Sequence, residues 1–366
     1  MTLDAPGSIL VVNTGSSSLK LALCDPRGHR LWQQQRSWGL PQADPESADP
    51  EAQDLPALLE QWLAPLLAEA SPPPELVVHR LVHGGSRFLA PTLLTAEALE
   101  KLAALVPLAP LHNGPALEAI HWLQGRLAPK GIQQWACFDT AFHASLGEAA
   151  STYAIPAAWR HQGLRRYGFH GLNHQHVAET VASRDPSVRR LISCHLGAGC
   201  SLCAIRITPD GQPRSVDTTM GFTPLEGLVM ASRSGSVDPG LLLHLLRQGI
   251  SASELDDTLN RHSGLLGLSE LSGDMRQLRL RAAEQHAGAQ LAIAVFRHRL
   301  LQGIGAMAAS LGGVEAIALT GGIGEHDEAL AAELQEALAW LPAVRWLRMP
   351  ADEEGLMVRL CVAAAS

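Results

Sequence analysis

The chain has little lysine, no clustered cysteine and no long apolar run. Only three of its 28 basic residues are lysine, and acidic residues outnumber basic ones by 36 to 28. No basic run exceeds two residues, so a nucleic-acid partner, which needs a concentrated basic face, is not expected. No stretch of about 18 apolar residues occurs, and this excludes a membrane-spanning helix.

Cysteine usage argues for a reducing environment. The six cysteines lie within apolar segments and form no disulfide framework, and Asp4 with no basic segment before Ile9 argues against a signal peptide. We therefore expect a cytoplasmic protein. Cys200 and Cys203 form a lone CxxC pair on a predicted strand, where residues three apart face opposite sides, so they cannot chelate one ion. The spacing of His170 and His174 lacks the third ligand of a zinc site.

A length of 366 residues with 46% hydrophobic residues predicts about two domains. Predicted strands lie at 8–12, 19–23, 76–82, 132–138, 190–195, 201–207 and 315–320, and predicted helices at 55–70, 95–106, 115–127, 173–184, 239–248 and 284–311. Their alternation indicates an α/β protein with two sheets. Segments 12–23 and 195–205 share the order strand, Gly/Ser turn, strand, which fits either two related halves or two ordinary hairpins.

Three glycine- or serine-rich turns follow apolar strands, at residues 13–18, 197–201 and 320–325. Such turns let backbone N–H groups converge on phosphate oxygens, because glycine permits the required dihedral angles. Each turn alone fits a tight connection equally well, but three in one chain predict a nucleotide site. The absence of Gly-Lys-Ser/Thr excludes a P-loop, and the absence of G-x-G-x-x-G after a strand argues against a Rossmann site. An S-x-x-K match at 17–20 lacks its partner motifs.

Four charged residues stand at predicted strand ends or in loops: Arg80, Asp139, Arg233 and Glu353. Arginine presents a planar fork that suits carboxylate and phosphate, and carboxylates at strand ends bind Mg²⁺. Each of them alone fits an ordinary surface residue, and spacing cannot bring the four together.

Seven motifs, in order along the chain, resemble those of the short-chain carboxylate kinases, the acetate kinase family of the actin-like ATPase superfamily. They are NTGSSSLK at 13–20, HRLVHGG at 79–85, LAPLHN at 108–113, FDTAFH at 138–143, RRYGFHG at 165–171, MGFTPLEG at 220–227 and GGIGE at 321–325. The resemblance implies two α/β domains of the actin-like, ribonuclease H-like type, with mixed sheets flanked by helices and a ligand cleft between them. Residues 1–140 plus 353–366 would form the N-terminal domain, and 141–352 the C-terminal domain with most of the nucleotide site.

The same resemblance implies an enzyme that transfers the γ-phosphoryl group of ATP to acetate, reversibly and by direct in-line displacement, giving acetyl phosphate and ADP. Mg²⁺ or Mn²⁺ would be required, and the protein would be a homodimer with no nucleic-acid or membrane partner. Two alternatives stay open: a propionate, butyrate or other actin-like kinase with an altered phosphate donor, and a non-catalytic nucleotide-binding protein.

Residue roles follow from motif positions only. The implied catalytic residues are Arg80, Asp139, His170 and Arg233. Arg80 with Val82, Leu111, Phe169 and Pro224 would bind the acyl substrate, and Asn13 with Glu353 would bind the metal. The implied ATP-binding residues are Asn13, Lys20, His195, Leu196, Gly197, Ala198, Gly199, Asp274, Met275, Arg276, Gly322, Ile323, Gly324 and Glu325.

Three positions depart from the family pattern. Ala198 stands where the family usually has asparagine, Ala231 where it has glycine, and Asp352 where it has asparagine. An alanine at position 198 lacks the amide side chain that would contact the nucleotide phosphates, so an active enzyme with altered donor affinity is expected.

Overall fold

The computed structural model describes residues 7–15, 18–38, 54–69 and 73–365. They form two compact units: unit 1 comprises the chain up to Ala141 and from Asp352 onward, and unit 2 runs from Phe142 to Ala351. These junctions lie one residue from the predicted ones. Ser16 and Ser17 of the first predicted turn, and Ala70 of the predicted 55–70 helix, lie outside the described residues.

Unit 1 contains one mixed sheet. Its strands are β1 (Ile9–Thr14), β2 (Ser18–Cys24), β3 (Arg30–Ser37), β4 (Leu76–Leu81), β5 (Thr92–Leu93) and β6 (Gln133–Phe138), in the spatial order β3-β2-β1-β4-β6-β5. β1 is antiparallel to β2 and parallel to β4, and β4 is parallel to β6. All residues of β1 are buried, as expected for a strand covered on both faces.

Helices of unit 1 pack on this sheet. They are α1 (Leu55–Leu58), a π-helical turn (Leu59–Leu63) and α2 (Ala64–Glu69) in one run, then α3 (Ala96–Ala103) and α4 (Pro110–Leu127). Asp54 caps α1 by accepting from the Ala57 N–H, and Thr95 caps α3. The helix predicted from residue 115 begins at Pro110 instead, since the missing N–H of proline costs nothing in the first turn.

Unit 2 repeats the arrangement. Its strands are β7 (Arg190–Leu196), β8 (Cys200–Ile207), β9 (Pro213–Thr218), β10 (Ala316–Thr320) and β11 (Arg345–Arg348), in the order β11-β10-β7-β8-β9. β7 is antiparallel to β8 and parallel to β10. The hairpins at 12–23 and 195–205 thus occupy the same place in their sheets, which favours two related halves. The expected α/β fold with two mixed sheets is confirmed.

Within the described chain, unit 2 also contains ten α-helices. They are α5 (Glu148–Ser151), α6 (Ala157–Arg160), α7 (Gly171–Arg184), α8 (Pro239–Arg247), α9 (Ala252–Arg261), α10 (Gly264–Ser269), α11 (Met275–Ala283), α12 (Ala287–Leu311), α13 (Gly321–His326) and α14 (Glu328–Ala337). The prediction of a turn at 320–325 was wrong, because these residues form a short helix. Gly321 directly follows β10 with φ +78° and is the first residue of this helix, α13.

The last helix, α15 (Glu353–Ala365), belongs to unit 1. It packs against β1, β2, β4 and β6, and Gly28 makes this approach possible: a Cβ on Gly28 would lie 2.4 Å from the carbonyl oxygen of Gly355. The acidic residues that begin α15 are thereby placed beside the sheet. Among the described residues, no helix is both long and apolar enough to cross a membrane.

Candidate functional site

A partly buried ion cluster lies at the carboxyl ends of the parallel strands β4 and β6 of unit 1. Arg80 is the fifth residue of β4, and Asp139 directly follows the neighbouring parallel strand β6. The guanidinium of Arg80 donates two hydrogen bonds to the Asp139 carboxylate, from Nε to Oδ1 at 2.9 Å and from Nη2 to Oδ2 at 2.5 Å. Its Nη1 lies 3.4 Å from Asn13 Oδ1, and its Nε lies 3.7 Å from Glu353 Oε2. Three predicted site residues thus converge on one arginine.

Charge balance in this cluster follows from burial. Asp139 is only 1% exposed, and burial raises its pKa to about 6 against the opposing attraction of Arg80. Burial also disfavours the charged form of Arg80, but Asp139 and Glu353 outweigh it and hold the pKa of Arg80 above its usual value. At neutral pH the cluster therefore contains one cation held between two carboxylates.

Lys20 lies in β2, and its Nζ is 2.6 Å from Oε1 of Glu354, the buried second residue of α15. Although burial opposes it, Lys20 holds the pKa of Glu354 below its usual value. Asp352, one of the family departures, faces Arg30 and Arg359 at 3.5 and 3.7 Å. The ATP contact predicted for Lys20 stays a prediction, since its amine has this acidic partner.

Unit 2 brings two of the three predicted phosphate turns together. The β7–β8 connection contains Gly197 and Gly199, and β10 runs parallel to β7 up to the start of α13. A Cβ on Gly197 would lie 3.9 Å from the Gly322 N–H nitrogen, and one on Gly321 would lie 2.7 Å from the Leu196 carbonyl oxygen. Two glycine-rich segments thus share one backbone surface, and adjacent backbone N–H groups of this kind can bind phosphate.

His170 stands at this surface in a strained conformation. It takes φ +55° directly before α7, a region that costs energy for a non-glycine residue and is found at functional sites. Its ring stacks on that of His195, with centroids 4.2 Å apart, and a Cβ on Gly199 would lie 3.1 Å from His170 Nε2. Position 168, two residues before His170, must be glycine, because a Cβ on Gly168 would lie 2.6 Å from the ring of His143.

The loop that carries Arg233 is joined to the same turn. The Ala231 N–H donates to the Ala198 carbonyl at 3.0 Å. Two of the three positions that depart from the family pattern are therefore hydrogen-bonded to each other. Arg233 Nη1 lies 3.4 Å from the Pro224 carbonyl oxygen. A Cβ on Gly273 would lie 2.8 Å from the Ala231 oxygen, and Asp274 follows it. The segment of implied ATP-binding residues that begins at Asp274 is therefore a neighbour of this loop.

Several predicted binding residues have structural partners. Asp274 caps α11 and pairs with Arg276, which is 88% exposed, whereas Met275 is buried. Glu325 Oε1 accepts from the backbone N–H groups of Gly321 and Ala351. Among the remaining predicted nucleotide residues, Ile323 and Gly324 lie within α13.

The four residues predicted for the acyl group are divided between the units. Val82 and Leu111 belong to unit 1, and Phe169 and Pro224 to unit 2. Val82 and Phe169 are buried, whereas Leu111 is exposed. Their common role stays a prediction.

The sequence interpretation missed a set of buried partners in unit 2. Ser193, Ser201 and His174 connect to His170 through hydrogen bonds of 2.8 to 2.9 Å. The spacing contained a signal: residues 170 and 174 are one helical turn apart, and residues 193 and 195 share one face of a strand. Unit 2 also has a cavity of about 720 Å³, which is lined by residues that include Asp217, Leu228, Arg299 and Met307. None of the predicted site residues lines this cavity.

No group of three or more histidine, cysteine or acidic residues in the described chain is arranged to bind a metal. All six cysteines are free and buried, and burial raises the pKa of Cys200 and Cys203 to about 12. Burial therefore keeps these thiols protonated.

Mg²⁺ needs few protein ligands, since it usually takes one or two carboxylates with substrate phosphates and water. The oxygen atoms around Arg80 fit that requirement.

Comparison with known proteins agrees with these features. Residues 42–346 match the model of the Acetokinase family. An acetate kinase from Synechococcus sp. (strain JA-2-3B'a(2-13)) is 48% identical over 348 residues, 87% of this chain and 84% of the relative. The crystal structure of Porphyromonas gingivalis acetate kinase gives a TM-score of 0.85 at 30% identity, covering 98% of this chain and 100% of that one. A propionate kinase from Francisella tularensis subsp. tularensis SCHU S4 gives 0.85 at 32% identity, covering 96% and 98%.

The duplicated mixed sheet, with its glycine-rich turns and its arginine–carboxylate cluster, fits a kinase of the actin-like ATPase fold. Within that class, the family model covers most of the chain and the relatives match along nearly all of it. The chain belongs to the Acetokinase family.

Proposed function

We propose that this protein transfers the γ-phosphoryl group of ATP to acetate, reversibly, giving acetyl phosphate and ADP. One observation carries the proposal: the chain keeps a partly buried arginine that donates two hydrogen bonds to a buried carboxylate, in a sequence 48% identical to an acetate kinase. Transfer to a carboxylate requires no general base, because acetate is already ionised at neutral pH. The protein's contribution is then positioning and neutralisation of charge.

We assign the roles as follows. Arg80 and Arg233 bind the acyl carboxylate and the γ-phosphoryl group, whose equatorial oxygens carry the transferred charge. His170 donates a hydrogen bond to that group, and Asn13 contacts it. The glycine segments at 197–199 and 322–324 hold the nucleotide phosphates through backbone N–H groups. Val82, Leu111, Phe169 and Pro224 surround the methyl group.

Mg²⁺, or Mn²⁺ in its place, would be held by Glu353 and Asn13. Both oxygen atoms of Asp139 already accept hydrogen bonds from Arg80, so Asp139 orients the cluster rather than serving as a direct ligand. When bound, the cation neutralises negative charge on the phosphates.

Acyl chain length is the open part of this proposal. A propionate kinase structure matches this chain as well as an acetate kinase structure does, each with a TM-score of 0.85. The decisive assay supplies ATP, Mg²⁺ and formate, acetate, propionate or butyrate, and traps the acyl phosphate with hydroxylamine. We expect acetate to give the highest kcat/KM. A preference for propionate would reassign the substrate, and no product from any acid, with ATP bound, would indicate a nucleotide-binding protein.

Activity should fall in acid because of Asp139. Its pKa of about 6 means that the carboxyl becomes protonated as the pH drops through that value and can no longer accept two hydrogen bonds from Arg80. We expect kcat/KM for acetate, at saturating MgATP, to decline below about pH 6. A ³¹P titration of MgATP alone is the control. A decline only below about pH 5, where acetate itself is protonated, would contradict this role.

The donor site offers a gain-of-contact test. Ala198 is exposed in its turn, so asparagine can be accommodated there. Because one added hydrogen bond is worth about 0.5–1.5 kcal/mol, Ala198→Asn should lower KM for ATP about 2- to 10-fold and leave KM for acetate unchanged. Ala198→Leu introduces a side chain similar in size to asparagine but without the amide, so it should not lower KM for ATP. An equal KM for ATP in all three proteins would show that this turn does not limit donor affinity.

We propose a homodimer assembled through α8. This helix contains five leucines, yet none of its residues is buried, and Leu241, Leu243 and Leu246 are 47%, 55% and 42% exposed. Light scattering should give about 78 kDa, twice the chain mass of 39.0 kDa. Leu243→Asp should shift the protein toward 39.0 kDa, whereas Leu280→Asp, at a 69% exposed leucine of α11, should not. A monomeric wild-type protein would overturn this proposal.

We place the protein in the cytoplasm, without a membrane or nucleic-acid partner. Six free, buried thiols suit a reducing compartment, and the net charge of −8 provides no general attraction for nucleic acid. Its partners are then acetate or another short-chain carboxylate, and ATP or ADP.

A further inference from the structure

A chain of buried hydrogen bonds in unit 2 ends at His170. Ser201 Oγ lies 2.9 Å from His170 Nδ1 and 2.8 Å from His174 Nε2. On the far side of its ring, His174 Nδ1 lies 2.9 Å from Ser193 Oγ. Ser193, Ser201 and His174 are all fully buried. The order of contacts is therefore Ser193, His174, Ser201, His170.

Only two arrangements of protons satisfy the Ser201 hydroxyl, which has one proton and two imidazole partners. In the first, Ser201 donates to His170 Nδ1 and accepts from His174 Nε2–H. In the second, both bonds are reversed, and His174 carries its proton on Nδ1. The two arrangements leave His170 in opposite tautomers.

Ser193 decides between them. Its contact with His174 Nδ1 is the one side-chain hydrogen bond that Ser193 makes within the described part of the chain. In the first arrangement Ser193 donates its proton to His174 Nδ1 and is satisfied. In the second it must accept from Nδ1–H, and its own buried proton is left without an acceptor, which is costly. The first arrangement is therefore the stable one.

The protonation of His174 and the partners of His143 agree with this order. His174 lies near His143 and His195, and burial with these neighbours holds its pKa well below the usual value, so the ring is neutral. His143 has its own partners: Nε2 lies 3.0 Å from the Phe169 carbonyl, and Nδ1 lies 2.9 Å from Ser215 Oγ. Since a carbonyl only accepts, His143 carries its proton on Nε2, and Ser215 donates to Nδ1.

We propose that Ser193, His174 and Ser201 form a relay that fixes His170 as the Nε2–H tautomer. The inference rests on the proposed role of His170 as a donor to the phosphoryl group. Nε2 and the adjacent Cε1 are the His170 ring atoms nearest to a Cβ built on Gly199 in the β7–β8 turn, so the relay keeps the proton on the side where the phosphates would bind. Ser201 and His174 are positioning residues, since they act through His170.

The direct test is the tautomer itself. Long-range ¹H–¹⁵N spectra of the full chain, with ¹⁵N-labelled histidine, distinguish Nδ1–H from Nε2–H rings, and the signals of His170 and His174 are assigned by their loss in His170→Gln and His174→Gln. We expect protonated Nε2 in both rings. A protonated Nδ1 on His170 would overturn the relay. This readout needs no turnover, so it stands even if the enzyme proves inactive toward acetate, an outcome that would count against the proposed function alone.

The kinetic test uses Ser201. Ser201→Ala should lower kcat about 10-fold or more and change KM for ATP and acetate less than about 2-fold, because the donor is lost mainly in the transition state. Ser201→Thr, which keeps the hydroxyl, should recover most of kcat. Ser215→Ala is the matched control: it removes a buried serine–histidine bond of the same length, 2.9 Å, outside the relay. Equal losses of kcat in Ser201→Ala and Ser215→Ala, or none in either, would contradict the proposal.

Discussion

Replacing Arg80 with alanine is expected to lower kcat about 10³-fold or more, the scale seen when an arginine that stabilises transferring phosphate is lost. The change removes the cation that lies between Asp139 and Glu353. Without it the two carboxylates repel each other, and the pKa of Asp139, already raised by burial, rises further. The measurement is single-turnover and steady-state kinetics with acetate and MgATP, together with circular dichroism.

A second variant separates lost chemistry from lost structure. Removing one partner of a buried ion pair destabilises a protein by about 3–5 kcal/mol, because the other charge remains. In Arg80→Ala/Asp139→Asn that charge is also removed, so the double variant should unfold at a higher temperature than Arg80→Ala and stay equally inactive. Arg126→Ala, at another ion pair of unit 1, is the control and should remain active. A folded Arg80→Ala enzyme with near-native kcat would refute the role of Arg80.

The parts of the fold that could be predicted are those buried on both sides. β1, β4 and β10 are short apolar runs, and each was expected within two residues of its observed bounds. β3 and β11 were missed because they are edge strands, largely or partly exposed and polar, without an apolar alternation. α15 was not expected as a helix, because its buried residues are too many to leave one polar face.

The ion cluster shows what spacing alone cannot provide. Arg80 and Asp139 are 59 residues apart, and they meet because β4 and β6 are parallel neighbours with Leu81 opposite Phe138. Strand order is a property of the whole sheet, so only the family resemblance could suggest this pairing. The relay behind His170 was missed for a related reason, since serine and histidine in apolar strands also fit an ordinary core.

Arg233→Ala is expected to lower kcat by a similar factor, about 10³-fold, while the fold persists. The loop around Arg233 is held by its backbone: the Met230 N–H donates to the Arg233 carbonyl at 3.1 Å, and the Leu265 N–H donates to the Met230 carbonyl at 2.8 Å. None of these bonds involves the guanidinium, whose Nη1 instead lies 3.4 Å from the Pro224 carbonyl oxygen, so we expect the loop to stay in place when the guanidinium is removed. We expect the unfolding temperature to change little and kcat to fall far more than KM for ATP rises, because the guanidinium acts mainly on the transition state.

Two controls make this expectation specific to Arg233. Arg281→Ala removes an exposed arginine of the same unit that pairs with Glu284, and it should keep wild-type kinetics because surface ion pairs contribute little. Arg233→Lys retains the charge but not the planar fork, so it should recover only part of kcat if two oxygen atoms must be bound together. Full activity in Arg233→Lys would reduce the role to charge alone. Full activity in a folded Arg233→Ala enzyme would exclude Arg233 from the reaction and leave Arg80 as the arginine that binds the transferring group.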